Sequence, residues 1–437
     1  MKRVRSPSGK ALYRVLPRSV ADMSAEQVAF HQRARLQGAI VAAVAEHGYQ
    51  QVTIKQIVAL AGVSLTAFYK HFESKETLFL ETFDLIVSMA SERIGRAYRS
   101  QDDWKAQMRA SFQAYAEIIE DEPAASRLVL IDSLAAGERA VARRERASET
   151  FETMLTQSYA RAPEPAPLTP LSVQMVIAGI RHIAYRRLLG GTPERLAEHT
   201  DDLLAFALAY HAPNIEPPRR AAHPKRSRKP ETTPPETADQ RPDGRQRILD
   251  AIVSIANKDG YAALSMPLIA KQAGTSNATF YEHFPDKQAA FLTAFWETTT
   301  RGITPSVQAF TAAETWPAAV HASITALLEQ VAADETFARM AFFSILTAGR
   351  AGIDTANQAL DQFATIFAPA HKQQPAIPAT TSQALVGGLW ATIAHELAHG
   401  RANQLPELAP ELTYIVLTPF LGAQEAAEVA GGWARDT

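Results

Sequence analysis

The residues that decide the fold run from Gly48 to Lys75 and read GYQQVTIKQIVALAGVSLTAFYKHFESK. A second copy begins 212 residues later, runs without a gap from Gly260 to Lys287, and reads GYAALSMPLIAKQAGTSNATFYEHFPDK. Seven landmarks keep their places: Gly62, Ser64, Phe68, Tyr69, His71, Phe72 and Lys75 in the first copy, and Gly274, Ser276, Phe280, Tyr281, His283, Phe284 and Lys287 in the second. Two short segments with apolar faces on either side of a glycine are typical of a helix-turn-helix. A repeat of this length predicts two equivalent domains that each contain the motif.

Further helices are predicted on both sides of each copy. An amphipathic stretch precedes the copy, with apolar residues three and four positions apart. These residues are Leu36, Ala39, Ile40, Ala43 and Val44 in the first half and Ile248, Ala251, Ile252, Ile255 and Ala256 in the second. A capping residue, Ser74 or Asp286, ends each copy and predicts the start of another helix. Each half therefore begins with a three-helix head that leads into a fourth helix.

The pattern within each copy resembles the DNA-binding head of tetracycline-repressor (TetR) family regulators. Both copies have Gly-Tyr, a Thr or Ser before the second helix, Ala-Gly-x-Ser, and Phe-Tyr-x-His-Phe followed by Lys. The helical sequence behind each head fits the family's effector-binding and dimerisation region by position and character. The resemblance implies an all-α fold of two tandem TetR-like halves, and a sequence-specific, ligand-responsive transcriptional repressor.

Proline and basic residues separate the two halves and predict an extended linker. The expected domains are a basic N-terminal extension (1–30), a first head (31–77), a first helical domain (78–211), a linker (212–243), a second head (244–289) and a second helical domain (290–437). Basic residues cluster in the extension and the linker, at Lys2, Arg3, Arg5, Lys10, Arg14 and Arg18, and at Arg219, Arg220, Lys225, Arg226, Arg228 and Lys229. Such runs either contact DNA phosphates or act as solubilising tails.

Composition restricts the class of protein. The chain has 437 residues, of which 46% are hydrophobic, and this is enough for buried cores in two halves. The absence of cysteine excludes disulfides and thiolate metal sites and fits a reducing cytoplasm. No apolar run approaches membrane-spanning length, and the basic N-terminus lacks the apolar core of a secretion signal. We expect a bacterial protein in the cytoplasm, associated with the nucleoid.

The resemblance implies that the third helix of each head lies in the major groove of DNA. The residues expected to face DNA are Ser64, Leu65, Thr66, Ala67, Tyr69 and Lys70 in the first head and Ser276, Asn277, Ala278, Thr279, Tyr281 and Glu282 in the second. Phosphate contacts are expected at Thr53, Tyr69, His71 and Lys75, and at Ser265, Tyr281, His283 and Lys287. The alternative is packing between helices for the tyrosines and histidines, and plain solvation for the lysines.

The two reading helices differ where base contacts are expected, since Leu65, Thr66 and Lys70 are replaced by Asn277, Ala278 and Glu282. Apolar side chains suit a thymine methyl group, whereas asparagine suits the edge of adenine. A glutamate repels phosphate where a lysine attracts it. We therefore predict an asymmetric operator that the first half binds more strongly.

Members of the family generally dimerise through their last two long helices. The corresponding segments here are Leu171–Leu189 with Leu203–Tyr210 in the first half, and Ala384–Ala398 with Leu412–Phe420 in the second. If the halves pair within one chain, the protein is a monomeric pseudo-dimer; if they pair between chains, a homodimer displays four heads. The tether and the divergence of the copies favour the pseudo-dimer.

Aromatic residues in the helical domains are candidates for an effector pocket. They are Trp104, Phe112 and Tyr115 in the first half and Trp316, Phe337, Phe342, Phe343 and Trp390 in the second. Because such pockets are mostly apolar, a small apolar organic effector is expected. Its binding would shift the spacing of the heads and release DNA. A DNA-bridging protein without a ligand would use the same heads.

One competing motif, His395-Glu396-Leu397-Ala398-His399, fits the His-Glu-x-x-His pattern of zinc peptidases. The equivalent place in the first half reads Arg186-Arg187-Leu188-Leu189-Gly190, so the motif lies in a helix that the repeat already explains. A pattern with three fixed positions also arises by chance in long helices. We therefore predict no catalytic residue, no metal site and no cofactor.

Overall fold

The computed structural model describes residues 24–164, 166, 168–212, 214–218, 220 and 243–432. Throughout these residues the chain is helical, with turns and loops between helices and no strand. The two basic runs predicted at the N-terminus and in the linker lie outside the described residues, apart from Arg220. The chain divides into two compact units, Met1–Ala166 with Val176–His211 and Pro167–Met175 with Ala212–Thr437.

The first head consists of three helices, followed by a long fourth helix. They are α1 (Ala25–His47), α2 (Ile54–Ala61), α3 (Leu65–His71) and α4 (Lys75–Arg99). Helix α1 begins six residues before the expected domain boundary at residue 31. The reason is a capping box, in which the Ser24 side chain accepts from the Gln27 amide and the Gln27 side chain accepts from the Ser24 amide.

Five more helices follow in the first half, three of them long. They are α5 (Trp104–Asp121), α6 (Pro123–Leu130), α7 (Glu138–Ala160), α8 (Pro170–Leu189) and α9 (Thr200–Leu208). The apolar core of the first head extends into the helices that follow it. Phe68 and Phe72 belong to one buried apolar cluster that also contains Leu128 of α6 and Ala140 of α7. The head is therefore packed directly on the helices that follow it.

The second half repeats this order of elements. Its head and fourth helix are α10 (Gly244–Asp259), α11 (Met266–Ala273), α12 (Asn277–His283) and α13 (Lys287–Ala312). The remaining helices are α14 (Trp316–Ala333), α15 (Glu335–Phe342), α16 (Gly349–Ala364), α17 (Ala368–Gln373), α18 (Ala379–Ala398), α19 (Ala409–Leu421) and α20 (Ala423–Gly432). Among the described residues, no helix combines the length and the apolar character needed to cross a membrane.

Candidate nucleic-acid interface and ligand cavities

Each head turns at a glycine between its second and third helices. Gly62 follows α2 with φ 61°, and Gly274 follows α11 with φ 60°. This left-handed conformation is strained for residues with a Cβ atom, so the turn favours glycine. A serine then caps the third helix, with bonds from the Ala67 amide to Ser64 and from the Thr279 amide to Ser276.

The third helix has one buried face and one exposed face in both heads. Phe68 and Phe280 are fully buried, and each packs edge-on against the following tyrosine. Those tyrosines point outward, because Tyr69 is 55% exposed and Tyr281 is 58% exposed. A large aromatic side chain left this exposed on a short helix is available for contact with a partner.

Most of the predicted DNA-facing residues are exposed. Exposed residues are Thr53, Ser64, Leu65, Thr66, Tyr69 and Lys70 in the first head and Ser265, Ser276, Asn277, Ala278, Tyr281, Glu282 and His283 in the second. Ala67 and Thr279, which occupy matching positions, are both half-buried. His71, Lys75 and Lys287 are half-buried as well. Contact with DNA remains a prediction for every residue of the set.

The residues that begin the second helix of each head differ. Thr53 forms a complete capping box with Gln56, whose amide donates to the threonine hydroxyl over 3.3 Å. Ser265 occupies the same place before α11, but its side chain makes no capping hydrogen bond. The hydroxyl of Thr53 is thus partly used in holding its own helix.

The two lysines predicted to touch phosphate are both used inside the head. Lys75 Nζ donates to the carbonyl oxygens of Tyr49 and Val52 over 2.9 and 2.8 Å, and lies 4.3 Å from the centre of the Tyr49 ring. Lys287 Nζ donates to Leu264 over 3.0 Å and lies 4.7 Å from the Tyr261 ring. Each lysine therefore joins the start of the fourth helix to the loop after the first.

The two histidines occupy different surroundings. His71 Nε2 lies 3.0 Å from the side-chain oxygen of Gln32. Burial, followed by the charges of Arg33 and Lys70, lowers the pKa of His71 and keeps the ring neutral. A neutral ring donates one hydrogen bond, and Gln32 is placed to accept it. His283 is exposed at the matching position of the second head.

Two arginines in the first helix of each head also keep the repeat spacing, although they lie outside the helix-turn-helix motif. Arg33 pairs with Glu81 on α4, and Arg245 pairs with Glu297 on α13 over 2.6 Å. Two residues further on, Arg35 and Arg247 donate to the carbonyl oxygens of Gly62 and Gly274, over 3.0 and 3.2 Å. Their identical displacement was the signal in the sequence that identifies them.

The first helical domain contains an apolar cavity of about 140 Å³. Phe112 and Tyr115 line it, together with Phe83 and Tyr98 of the long helix α4. Trp104 is not part of the described cavity wall, because its ring packs on Tyr159 and on His211, 4.8 Å away. Contact of these residues with an effector stays a prediction.

The second helical domain contains a larger cavity of about 420 Å³. Phe337, Phe342 and Trp390 line it, and the rings of Phe342 and Trp390 stack 5.9 Å apart. Trp316 does not, because its indole nitrogen donates to the Ile366 carbonyl oxygen and its ring packs on Phe420. Phe343 is also absent from the described wall; it follows the last residue of α15, where the backbone leaves the helix.

The His-Glu-x-x-His motif has a structural explanation. The Glu396 carboxylate accepts two hydrogen bonds from Arg401, over 2.7 and 3.0 Å. Burial raises the pKa of Glu396, but Arg401 outweighs that effect and the pKa is lowered overall. A carboxylate held by a bidentate arginine is stabilised in its charged form and is poorly suited to accept a proton from water.

Comparisons with known proteins identify the heads. The profile of the family described as "Bacterial regulatory proteins, tetR family" matches residues 38–82 and 248–294. The chain is 42% identical over 50 residues to the HTH-type transcriptional repressor KstR of Mycolicibacterium smegmatis, covering 11% of this chain and 24% of KstR. It is 30% identical over 84 residues to the HTH-type transcriptional activator FasR of the same organism, covering 19% of this chain and 38% of FasR.

These matches span less than two thirds of the relatives' own length. Among solved structures, the transcriptional regulator FadR from Bacillus subtilis, in complex with stearoyl-CoA, matches with a TM-score of 0.37 and 15% identity, covering 40% of this chain and 96% of that chain. The two profile matches coincide with the two heads built above. Each half of the chain therefore carries one helix-turn-helix domain of the tetR family of bacterial regulatory proteins.

Proposed function

We propose that the protein is a sequence-specific DNA-binding transcriptional regulator that reads an asymmetric operator with two different heads. The observation that carries this proposal is the exposed face of the third helix, which is present in both heads behind a glycine turn and a serine cap. A short helix presented in this way fits the major groove of B-DNA. We infer that it represses its target, which is the activity stated in the name of the KstR relative.

The exposed side chains divide into two roles. Tyr69 and Tyr281, with the hydroxyl groups of Thr53 and Ser265, suit phosphate oxygens and would fix each head on the duplex. Residues at the start of the third helix would contact base edges, with Leu65 suited to a thymine methyl and Asn277 to an adenine. Lys75 and Lys287 support the heads from inside instead, because carbonyl oxygens already hold their ammonium groups.

We further infer that a ligand in either helical domain controls its head through the fourth helix. Lys75, the first residue of α4, is clamped to the head, while Phe83, Ile94 and Tyr98 of the same helix line the cavity. In the second unit α13 begins at the clamped Lys287 and lines the larger cavity through Phe295 and Trp296. A ligand that displaces the fourth helix would move the head and shift the population away from the DNA-binding state.

Selection of binding sites from a random double-stranded DNA library tests the function. The full chain should enrich one non-palindromic sequence. Tyr69→Ala combined with Tyr281→Ala should weaken binding to that sequence by at least about tenfold, roughly 1.4 kcal/mol. Met89→Ala, which alters an exposed side chain of α4 outside the heads, is the matched control and should stay within about twofold. Absence of any enriched sequence would refute sequence-specific binding.

The alternative of a DNA-bridging protein makes a different prediction. The expected pseudo-dimer, one chain on one operator, stays a prediction, and light scattering of the complex measures the mass that decides it. A regulator should bind a single duplex and release it when the ligand is added. A bridging protein should hold two duplexes in one complex and ignore ligands.

A further inference from the structure

Two arginines line the cavity of the first helical domain, although the rest of its wall is almost entirely apolar. Arg144 comes from α7 and Arg181 from α8, and both reach the wall that Phe112 and Tyr115 also form. Charged groups are costly in such surroundings unless they are paired. The arginines are therefore the feature of this cavity that needs an explanation.

The guanidinium of Arg144 is not fully satisfied: its Nε atom is buried without a hydrogen-bond partner in the described part of the chain. Arg181 donates to the hydroxyl of Ser148, a neutral group. Burial, followed by the charge of Arg181, lowers the pKa of Arg144 to about 9, and burial also lowers the pKa of Arg181. An arginine guanidinium keeps its positive charge at neutral pH in proteins.

The acidic residues that interact with these arginines do not line the cavity. Glu145 attracts both arginines and Glu152 attracts Arg181, but neither glutamate belongs to the described wall. His182 adds no negative charge, because burial and the surrounding arginines keep its imidazole neutral, with a pKa of about 3. The described cavity wall itself contains these two arginines and no acidic side chain.

The second cavity occupies the same place in its own unit and lacks this feature. At the repeat spacing, the position of Arg144 is taken by Ala356. Aligning Gly179 of α8 with Gly388 of α18 places Trp390 at the position of Arg181. Both replacements line the second cavity, and its described wall contains no charged side chain. Thr299, whose buried hydroxyl has no partner, is a polar group available in that wall.

We propose that the first cavity binds a compact organic anion, with its carboxylate on Arg144 and Arg181 and its apolar body against Phe112 and Tyr115, while the second cavity discriminates against anions. This inference rests on the proposed function, because it names the ligand class of the domain that controls the first head. Arginine binds carboxylates through paired charge-assisted hydrogen bonds. The volume of about 140 Å³ suits a body near the size of benzene, since an engineered cavity of about 150 Å³ binds that molecule.

Calorimetry on the full chain tests the proposal with benzoate and its neutral counterpart benzamide. Benzoate should bind with an affinity at least about tenfold higher than benzamide, because only the carboxylate pairs with the arginines. Arg144→Met and Arg181→Met should each reduce benzoate binding at least about tenfold and leave benzamide binding within about twofold. Arg96→Met, at an exposed position on α4, is the control and should change neither.

Folding of each variant is checked by a cooperative thermal transition, so that ligand binding is compared only between folded chains. Equal binding of benzoate and benzamide, failure of both to bind, or benzoate binding that survives both arginine substitutions would overturn the assignment. DNA binding without ligand is measured in parallel on the same variants. Loss of ligand selectivity with intact DNA binding refutes this inference alone, whereas loss of DNA binding by the unmodified chain refutes the proposed function.

Discussion

At the scale of single residues, position in the repeat predicted which side chains matter but not always what they do. Lys75 and Lys287 keep their places in both copies, and the resemblance assigned them to phosphate. Their ammonium groups contact backbone carbonyl oxygens of the loop between the first two helices, and contact with phosphate stays a prediction. The motif specifies the residue type; the partner atoms depend on a loop more than twenty residues earlier, which no local pattern describes.

Asp132 is a buried acid that the sequence did not single out, and it links the helical domain to the first head. Its carboxylate accepts from the backbone amide of Tyr49 and lies 3.5 Å from Arg127. Burial raises the pKa of Asp132 to about 6 in spite of both partners. Because the folded-state pKa lies above the unfolded value, the folded chain favours the protonated form of Asp132. The contribution of Asp132 to the free energy of unfolding is therefore present at low pH and is lost as pH rises from about 4 through 6.

The stability of the Asp132→Asn variant, relative to that of the unmodified chain, should therefore increase as pH rises. The difference in unfolding free energy between variant and unmodified chain should grow by roughly 3 kcal/mol between pH 4 and pH 7, the equivalent of a shift of about two pKa units. Urea unfolding at a series of pH values, followed by the amide signals of the first head, measures it. Asp102→Asn, an exposed position before α5, is the control. A difference that does not vary with pH would contradict the buried-acid assignment.

At the scale of elements, local patterns located the helices of the heads well and their outer limits less well. The glycine turn, the serine cap and the buried phenylalanines are all set by neighbouring residues, and the predicted helix-turn-helix is confirmed in both halves. The start of α1 was missed because the capping box at Ser24 lies in a stretch assigned to the basic extension. The cavities were only partly predictable, since they depend on which faces of distant helices meet.

The two caps of the second helix offer a comparison within one chain. Thr53→Ala should destabilise α2 by about 1 kcal/mol, because a full capping box is lost. Ser265→Ala should cost α11 no more than a few tenths of a kcal/mol, because Ser265 makes no capping bond and Pro267 already favours the first turn. Hydrogen exchange of the amides in the two helices, measured on the free full-length protein, gives both values. Equal costs would show that the two caps work alike.

At the scale of the whole molecule, the repeat predicted two TetR-like halves, and a tetR-family head is confirmed in each. The division of labour between the halves was only partly visible in the sequence. The reading helices differ at positions that face outward, where the motif imposes little restriction and any difference is easy to notice. The cavities differ at Arg144 and Arg181, which lie in long helices whose inward face the sequence pattern did not reveal.

A charge difference between the heads predicts unequal dependence of DNA binding on salt. Lys70 and Glu282 occupy the same exposed place at the end of the third helix, so one head attracts phosphate there and the other repels it. Each phosphate neutralised by a protein cation steepens the plot of log affinity against log salt by about 0.9. Glu282→Lys should therefore tighten operator binding and steepen that slope by about one, and Lys70→Glu should do the opposite.

Fluorescence anisotropy titrations of the selected operator, at salt concentrations from about 50 to 200 mM, measure these slopes. Glu314→Lys makes the same charge change at an exposed position outside the heads and should leave the slope nearly unaltered. If Glu314→Lys steepened the slope as much as Glu282→Lys, net charge alone would explain the effect. A change confined to Glu282→Lys would place the second head on the phosphate backbone, because counterion release requires the new lysine to lie at the DNA surface.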